Sequence, residues 1–498
     1  MKRLRQYVLH GSIYGKLMLL IGLLSGVPLI VLPFVSAEAK YIPAFLFPML
    51  FSLALGYIIC VKTHRQKEII KKAWQSPLQH GSLPVLFVWG YSFLMGALPL
   101  IISGRVGFVA AIFESVSSWT TAGLTVLDVQ TMPQIFLFHR SFMQYCGGLG
   151  FIVMMAIVIQ GKHSMSLFNA EGHRERLMPS LRRTSRTILK MYVGFLAAGI
   201  LLYWLFGMSP FDAVCHAMTA ISTAGFTTKS GSIGEYSSLS IELITILLML
   251  AGASNFAILL SLTEGKIRNI FRITEMKFMI GILSVFIFLS TCSLAVNMNM
   301  GIGESLRQAT FGVVSILSTT GYSTMDYSTW PPFALGLIML LMIIGGSTGS
   351  TAGGIKLSRT YLLLRITREN IRKSVSPKNK ITFPTFNTAR GKMPVDESLI
   401  METFGFIACY MGILVIGTLL ITLTAGCSLS VAMFEFASAL GTVGLSNGLT
   451  NADTNTATLI VEMAGMILGR LEIFVVFFGL GSAVRLVKQR LAKAPQHS

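Results

Sequence analysis

The chain is short of charge. Of its 498 residues only 12% are Asp, Glu, Lys or Arg, while 53% are hydrophobic and the mean hydropathy is +0.68. A soluble domain carries roughly 25% charged residues, so a water-soluble class is excluded and a protein with many membrane spans is indicated. Acidic residues are scarcest, 21 against 40 basic, which leaves a net charge of +19. That excess does not make a nucleic-acid surface, because 34 of the 40 Lys and Arg fall in six patches: Lys2–Lys16, Lys62–Lys72, Lys162–Lys190, Lys266–Lys277, Lys356–Lys392 and Arg485–Lys493. The patches lie between or beyond apolar segments, on alternate turns of the chain. This positive-inside pattern predicts cytoplasmic N- and C-termini. The six cysteines (Cys60, Cys146, Cys215, Cys292, Cys409, Cys427) are scattered and show no CxxC or Cys/His spacing. They read as buried hydrophobes, neither disulfides nor metal ligands. No HExxH motif occurs, so an intramembrane enzyme is not expected and no catalytic residue is assigned. The chain carries no domain for a nucleotide or organic cofactor, so nucleotide control would need a separate subunit.

What the chain does have is one short phrase four times: Thr121-Ala122-Gly123-Leu124-Thr125, Thr223-Ala224-Gly225-Phe226-Thr227, Thr319-Thr320-Gly321-Tyr322-Ser323 and Thr442-Val443-Gly444-Leu445-Ser446. Each has Thr two residues before Gly and a hydroxyl two after it, and each follows an apolar stretch too short to cross a bilayer. Four loops of one design suggest a ring about one axis, and a ring of backbone carbonyls at membrane depth strips water from an alkali cation. Gly supplies a positive φ at no steric cost, and the ends of four half-length helices would favour a cation at the axis. A single such phrase would be ordinary loop punctuation. Four, each between a half-length helix and a spanning one, are not.

The rest of the chain fits a repeat. Ile13–Val35 and Ile42–Val61 form an N-terminal hairpin within 1–79. Leu17–Phe34 followed by Val35-Ser36-Ala37-Glu38-Ala39 has features of a cleaved leader, but the run is long enough to span, which predicts a retained helix. Then come four units of spanning helix, short helix, Gly phrase and second spanning helix. Unit one (80–186) is Leu83–Ile102, Val106–Trp119 and Ser141–Gln160; unit two (187–276) is Ile188–Phe206, Pro210–Ser222 and Ser240–Leu262. Unit three (277–372) is Phe278–Val296, Gly303–Ser318 and Pro332–Ile355 with an extension. A cytoplasmic loop (373–397) precedes unit four (398–498), which is Leu399–Leu423, Leu429–Gly441 and Thr456–Val484. The expected class is an all-α polytopic membrane protein, and internal repeats of this kind place a transport site at the repeat interface.

With these phrases in place, and with Gly147-Gly148-Leu149-Gly150-Phe151, the run Gly345-Gly346-Ser347-Thr348-Gly349-Ser350-Thr351-Ala352-Gly353-Gly354 and Gly469-Arg470-Leu471-Glu472, the chain resembles the Trk/Ktr potassium-uptake family in its bacterial TrkH/KtrB branch. The extra N-terminal hairpin is more like the first type. The fourth phrase, with Gly448 and Thr450 trailing it, is closer to the second. The resemblance implies four M1-P-M2 repeats around one pore, K+ as the transported ion, one filter Gly per loop, a homodimer, a cytosolic nucleotide-binding regulatory ring of the RCK type (TrkA/KtrA-like) and a place in the bacterial inner membrane.

The carbonyls of Thr121, Ala122, Gly123, Thr223, Ala224, Gly225, Thr319, Thr320, Gly321, Thr442, Val443 and Gly444 are the candidate ion ligands. Thr125, Thr227, Ser323 and Ser446 either hold the filter or line its mouth, or simply bond nearby backbone. The run Gly345–Gly354 is too rich in Gly to be a helix middle. It reads as an unwound loop beneath the filter, an intramembrane gate by the resemblance, with tight helix packing as the alternative. Arg470 is expected mid-helix. A central Arg costs about 2.5 kcal/mol or more on insertion scales and so faces a cavity or a partner. The resemblance places it in the pore below the filter. The alternative is an ion pair with Glu472 or another acid, although residues two apart face nearly opposite sides of a helix. Nine residues before each Gly stand Glu114, His216, Gly312 and Glu435, expected to support the filter; His216 reads equally as a satisfied buried histidine. Asp128 and Asp326 stand at the outer mouth or on solvated loops. The basic segments Lys162–Lys190 and Lys356–Lys392 offer docking places for a partner ring and otherwise mark headgroup contacts. A sodium-selective or sodium-coupled pathway, or a secondary transporter of an organic solute, are the competing readings.

Overall fold

The computed structural model describes residues 12–65, 77–150, 181–263, 265, 270–375, 385–388 and 391–492. Ile13–Ser25 (α1) passes through two 3-10 stretches, Val27–Phe34 and Ser36–Tyr41, into Ile42–Arg65 (α2). Pro28 and Pro33 remove amide donors from the first of these and hold it out of α geometry. The two helices meet through small residues. A β-carbon on Gly15 would lie 2.8 Å from the Gly56 carbonyl oxygen and one on Gly56 2.8 Å from that of Gly15, the close backbone approach that small residues allow in a membrane.

Unit one is Pro77–Ile102 (α3), Phe108–Trp119 (α4) and Gln134–Leu149 (α5). Unit two is Leu181–Leu205 (α6), Pro210–Ile221 (α7), Leu239–Ala253 (α8) and Phe256–Thr263 (α9). Unit three is Thr274–Asn297 (α10), Ile302–Leu317 (α11), Pro332–Ile344 (α12) and Leu357–Val375 (α13). An antiparallel hairpin of Thr385–Thr388 (β1) and Gly391–Pro394 (β2) leads to unit four: Glu397–Ala425 (α14), Leu429–Gly441 (α15), Thr456–Arg470 (α16) and Ile473–Ala492 (α17). Among the described residues six helical segments are long and apolar enough to cross a membrane, or seven if the bent pair α8–α9 counts as one span. The four short helices α4, α7, α11 and α15 have 12, 12, 16 and 13 residues. At about 1.5 Å per residue none spans a core of about 30 Å.

The second helices of the units depart from expectation. Ser240–Leu262 is two helices meeting at 118°. Asn255 Oδ1 accepts from the Ala257 amide at 2.8 Å, so an N-cap residue stops α8 and starts α9. Thr456–Val484 is also two helices. α16 ends on Arg470, Glu472 takes φ +59, and its carbonyl accepts from the Val475 and Val476 amides to open α17. Arg470 is therefore at a helix end, not mid-helix. The helix expected at Ser141–Gln160 begins earlier, at Gln134; residues 151–160 lie outside the described residues, as do most of the basic segments Lys2–Lys16, Lys62–Lys72 and Lys162–Lys190. One apolar core joins Leu17 and Ile21 of α1 and Val85, Val88 and Trp89 of α3 to Leu459 and Met466 of α16. The last unit thus packs on the first, and the four close on themselves.

Candidate functional site

The four short helices end in one way. In unit one the Ala122 amide donates to Ser117 O (2.9 Å) and the Thr121 amide to Ser118 O (3.2 Å). The same pair recurs as Ala224 to Thr219 O with Thr223 to Ala220 O, Thr320 to Ser315 O with Thr319 to Ile316 O, and Val443 to Ser438 O with Thr442 to Ala439 O. This is the Schellman stop, in which a left-handed residue follows the cap. That residue is usually Gly; here it is Thr121, Thr223, Thr319 and Thr442, at φ 56, 50, 56 and 53. A β-branched residue is strained there. Two positions on, Gly123, Gly225, Gly321 and Gly444 are again at positive φ: 82, 76, 79 and 90.

The glycines also close the ring. A β-carbon on Gly123 would lie 2.5 Å from the Ala224 carbonyl oxygen; one on Gly225 would strike Thr320 O, one on Gly321 Val443 O, and one on Gly444 Ala122 O. Each loop packs its Gly against the carbonyl just before the Gly of the next loop, in chain order, and the fourth returns to the first. The Ala224 carbonyl additionally accepts from Gln144 Nε2 at 2.8 Å.

Each loop is held by its own short helix and its neighbours. Glu114 Oε1 accepts from Thr125 Oγ1 (2.6 Å) and from the Val126 amide (2.7 Å), and Arg140 Nε lies 3.2 Å from Oε2. Glu435 does the same in unit four, taking Ser446 Oγ (2.6 Å) and the Asn447 amide (2.7 Å). In unit two His216 turns Nδ1 to Asp212 O and packs on Tyr236 and Tyr322. There Gln144, from α5 of unit one, takes the holding role by also accepting from the Phe226 amide at 3.2 Å. At Gly312 a β-carbon would lie 2.9 Å from the Trp330 ring, and Trp330 packs on Tyr327. Thr227 Oγ1 donates to Lys229 O, while the backbone of Ser323 bonds Ser232 Oγ and the Gly234 amide. Asp128 and Asp326 cap local turns through the Gln130 and Ser328 amides.

The ring separates two cavities. One, about 210 Å³, is lined by all four glycines, by Thr125, Thr227, Ser323 and Ser446, and by Asp326; Asp128 is not on it. The other, about 50 Å³, is lined by Thr348, Gly349, Ser350, Ala352, Gly353 and Gly354, with Gly148, Gly150 and Arg470. The Gly-rich run is the unwound loop the sequence predicts, between α12 and α13, and it presses on the ring from below. Thr351 Oγ1 is 2.9 Å from Thr223 Oγ1, the Gly353 amide donates to Thr319 Oγ1 at 2.9 Å, and a β-carbon on Gly353 would strike Thr442 Oγ1. The loop is tied down by Ser347 N to Ala253 O, Thr351 N to Gly252 O and Thr348 N to Glu275 Oε1. Arg470 clamps it. Its guanidinium donates to Thr351 O (2.6 Å) and to Gly147 O (2.6 Å) and Gly148 O (3.0 Å) at the end of α5. Glu472 pairs instead with Arg359, at 2.6 Å, and the Arg359 guanidinium sits 3.8 Å from the centre of the Phe406 ring.

Three groups of residues escaped the sequence reading. Ser117, Thr219, Ser315 and Ser438, six before each Gly, are all buried hydroxyls; Ser117 and Ser315 donate to Leu124 O and Tyr322 O, and Ser438 accepts from the Gly444 amide. Their shared spacing was readable. Arg140 and Gln144 act across units and Glu275 across the loop, which spacing could not reveal.

The profile of the TrkH family, described as a cation transport protein, matches residues 50–479. An uncharacterized cation transporter of Methanocaldococcus jannaschii is 30% identical over 472 residues, 94% of this chain and 93% of its own. The Trk system potassium uptake protein TrkH of Salmonella typhimurium is 30% identical over 440 residues, 85% of this chain and 88% of its own. The crystal structure of the potassium transporter TrkH from Vibrio parahaemolyticus superposes with a TM-score of 0.82 at 26% identity, covering 95% of this chain and 97% of that one. With its four units closed into one ring, the chain belongs to the TrkH family of cation transport proteins.

Proposed function

We propose that the chain is the potassium-translocating membrane subunit of a Trk-type uptake system and that the four Thr-x-Gly loops are its filter. The observation that carries this is the closed ring of positive-φ Thr and Gly, each Gly seated on the next loop's carbonyl. The backbone oxygens of Thr121, Ala122, Gly123 and their counterparts in the other three loops then replace the ion's hydration shell, with Ala224 O shared with Gln144. The hydroxyl-lined cavity is the entrance. The Gly345–Gly354 loop is the gate, and Arg470 is its latch and a positive barrier below the filter. Permeation is channel-like. Entry of one charge into a negative interior gains about 2.3 kcal/mol per 100 mV.

The inner bacterial membrane, cytoplasmic termini and a homodimer complete the reading. So does a cytosolic nucleotide-binding partner. A cleft of about 520 Å³ lined by Arg272, Lys277, Arg365 and Lys392 offers that partner a basic seat. Rubidium against sodium flux into liposomes under a potassium-type diffusion potential tests the assignment. Preference for rubidium is expected, and preference for sodium would move the chain to a sodium pathway on the same fold.

A further inference from the structure

Two fully buried carboxyl groups stand behind loop four, Glu435 on α15 and Glu462 on α16. A single hydroxyl lies between them. Thr450 Oγ1 is 3.1 Å from Glu435 Oε2 and 3.0 Å from Glu462 Oε1. A threonine hydroxyl has one hydrogen to give, so it cannot donate to both. One carboxyl must itself donate, and therefore carry a proton.

Hydrogen-bond supply says which. Glu435 accepts from Ser446 Oγ, from the Asn447 amide and, at 3.3 Å, from the Leu449 amide, the surroundings of an ionised carboxylate. Among the described residues Glu462 has one hydrogen-bond partner, Thr450, and its Oε2 is buried without one. An ionised Glu462 would be a buried charge with no donor of its own beside a second negative charge, which is costly.

Among the described residues, the elements packed against the pair offer no compensating cation. On α4 the charged residue is Glu114, held by Arg140. On α14 they are Glu397 and Glu402, in its first turns, with Tyr410 and Cys409 further along. α12 carries no titratable group. Arg470, eight residues beyond Glu462 on α16, is turned to Thr351, Gly147 and Gly148. On α17 the cations begin at Arg485, and Asp453 stands on the exposed turn before α16.

We propose that Glu462 is a proton-binding site of loop four. Its acid O–H donates to Thr450 Oγ1, the Thr450 hydroxyl donates to Glu435, and Glu435 holds Ser446 and Asn447 beside Gly444. Ser446 lines the entrance cavity, so the chain Glu462–Thr450–Glu435–Ser446 is also the route by which the proton exchanges with the outer solution. Loss of this proton leaves both carboxyls ionised. The ionised pair then repels across one hydroxyl, and the fourth loop loosens. The proton site stands by itself; its effect on flux rests on reading loop four as part of the filter.

The test uses the full chain in liposomes, with Glu462→Gln, whose amide keeps a donor toward Thr450 and no titratable proton. Infrared spectroscopy at neutral pH should show a protonated-carboxyl band that Glu462→Gln removes and Glu435→Gln does not. In flux, wild type should lose about tenfold of its rubidium-over-sodium preference in alkaline external medium, equal to about 1.36 kcal/mol, while Glu462→Gln should keep its preference. No acid band, or one removed by Glu435→Gln instead, overturns the proton site. A band with flux that ignores pH in both proteins overturns the coupling to loop four. If wild type carries no rubidium at all, the potassium reading fails, and the infrared comparison still decides the proton site.

Discussion

Units one and four hold their loops from the same point but set opposite partners beside the holder. Glu114 and Glu435 stand nine residues before their glycines, and each accepts from the hydroxyl two after the Gly and the amide after that. In unit one the second helix brings Arg140 to the carboxylate, with its guanidinium also 3.9 Å from the centre of the Phe226 ring of loop two. In unit four the second helix brings Glu462. The difference teaches that the carboxylate is kept for its acceptors, which gather the descending backbone. The excess negative charge is then limited locally, by a cation beside the holder in one quarter and by a proton kept on the neighbouring carboxyl in the other.

The comparison breaks most readily at Arg140. Arg140→Ala strands Glu114 without its ion pair, and about 3–5 kcal/mol of stability should be lost. Glu462→Gln should change stability by less than about 1 kcal/mol, since a neutral group replaces a neutral group. Thermal unfolding of the two purified variants side by side checks this; equal losses would mean that Glu462 is itself a buried charge.

The glycines give the next effect. A Ser at Gly123 meets Ala224 O, and a Ser at Gly444 meets both Ala122 O and, at 2.9 Å, the Gly123 Cα. Strain of about 1–3 kcal/mol is expected at such positive-φ sites, with rubidium-over-sodium preference weakened in both and more in Gly444→Ser. A well-folded Gly123→Ser with unchanged preference would remove that loop from the filter.

Arg470 joins the two units at their lower ends. Each of its hydrogen bonds to a carbonyl is worth about 1.5–3 kcal/mol, so Arg470→Ala should free the loop and raise rubidium flux several-fold. Arg470→Lys should raise it less, because the charge stays while the fork of donors goes. A drop in flux together with lost thermal stability in Arg470→Ala would make the residue purely structural. The smallest effect belongs to the buried hydroxyls. Ser117→Ala and Ser438→Ala should each cost about 1 kcal/mol, measured as a shift in unfolding temperature, and a neutral Ser117→Ala would show that Glu114 alone secures its loop.

Much of this was legible in the sequence because the fold repeats itself. The phrase, the half-length helices and the Gly run are local patterns, and local patterns survive without partners. The left-handed Thr was not expected, since propensity puts Gly at that position; only the hydroxyl contacts with Thr351 and Gly353 show what the side chain does there. The breaks in the second helices were hidden for a related reason. Asn255 and Glu472 are single polar residues in apolar runs; Asn255 caps the helix that follows it, and Glu472 finds its ion-pair partner Arg359 on α13. Arg140 carries no local sequence signal of its role; the fold sets it beside Glu114, 26 positions back in sequence.

One consequence follows from Arg470 and the Gly-rich loop each occurring once. Four identical subunits would be bound by rotational symmetry to put four copies of any side chain around the axis. Four guanidinium groups facing one another there would repel, and four such loops would compete for one space. A single polypeptide with four unlike quarters escapes that constraint. On the proposed reading of the Gly-rich loop as the gate, the obstruction reaches in from unit three, is fastened by unit four and is anchored on unit one, so opening needs one fastening undone instead of four in concert.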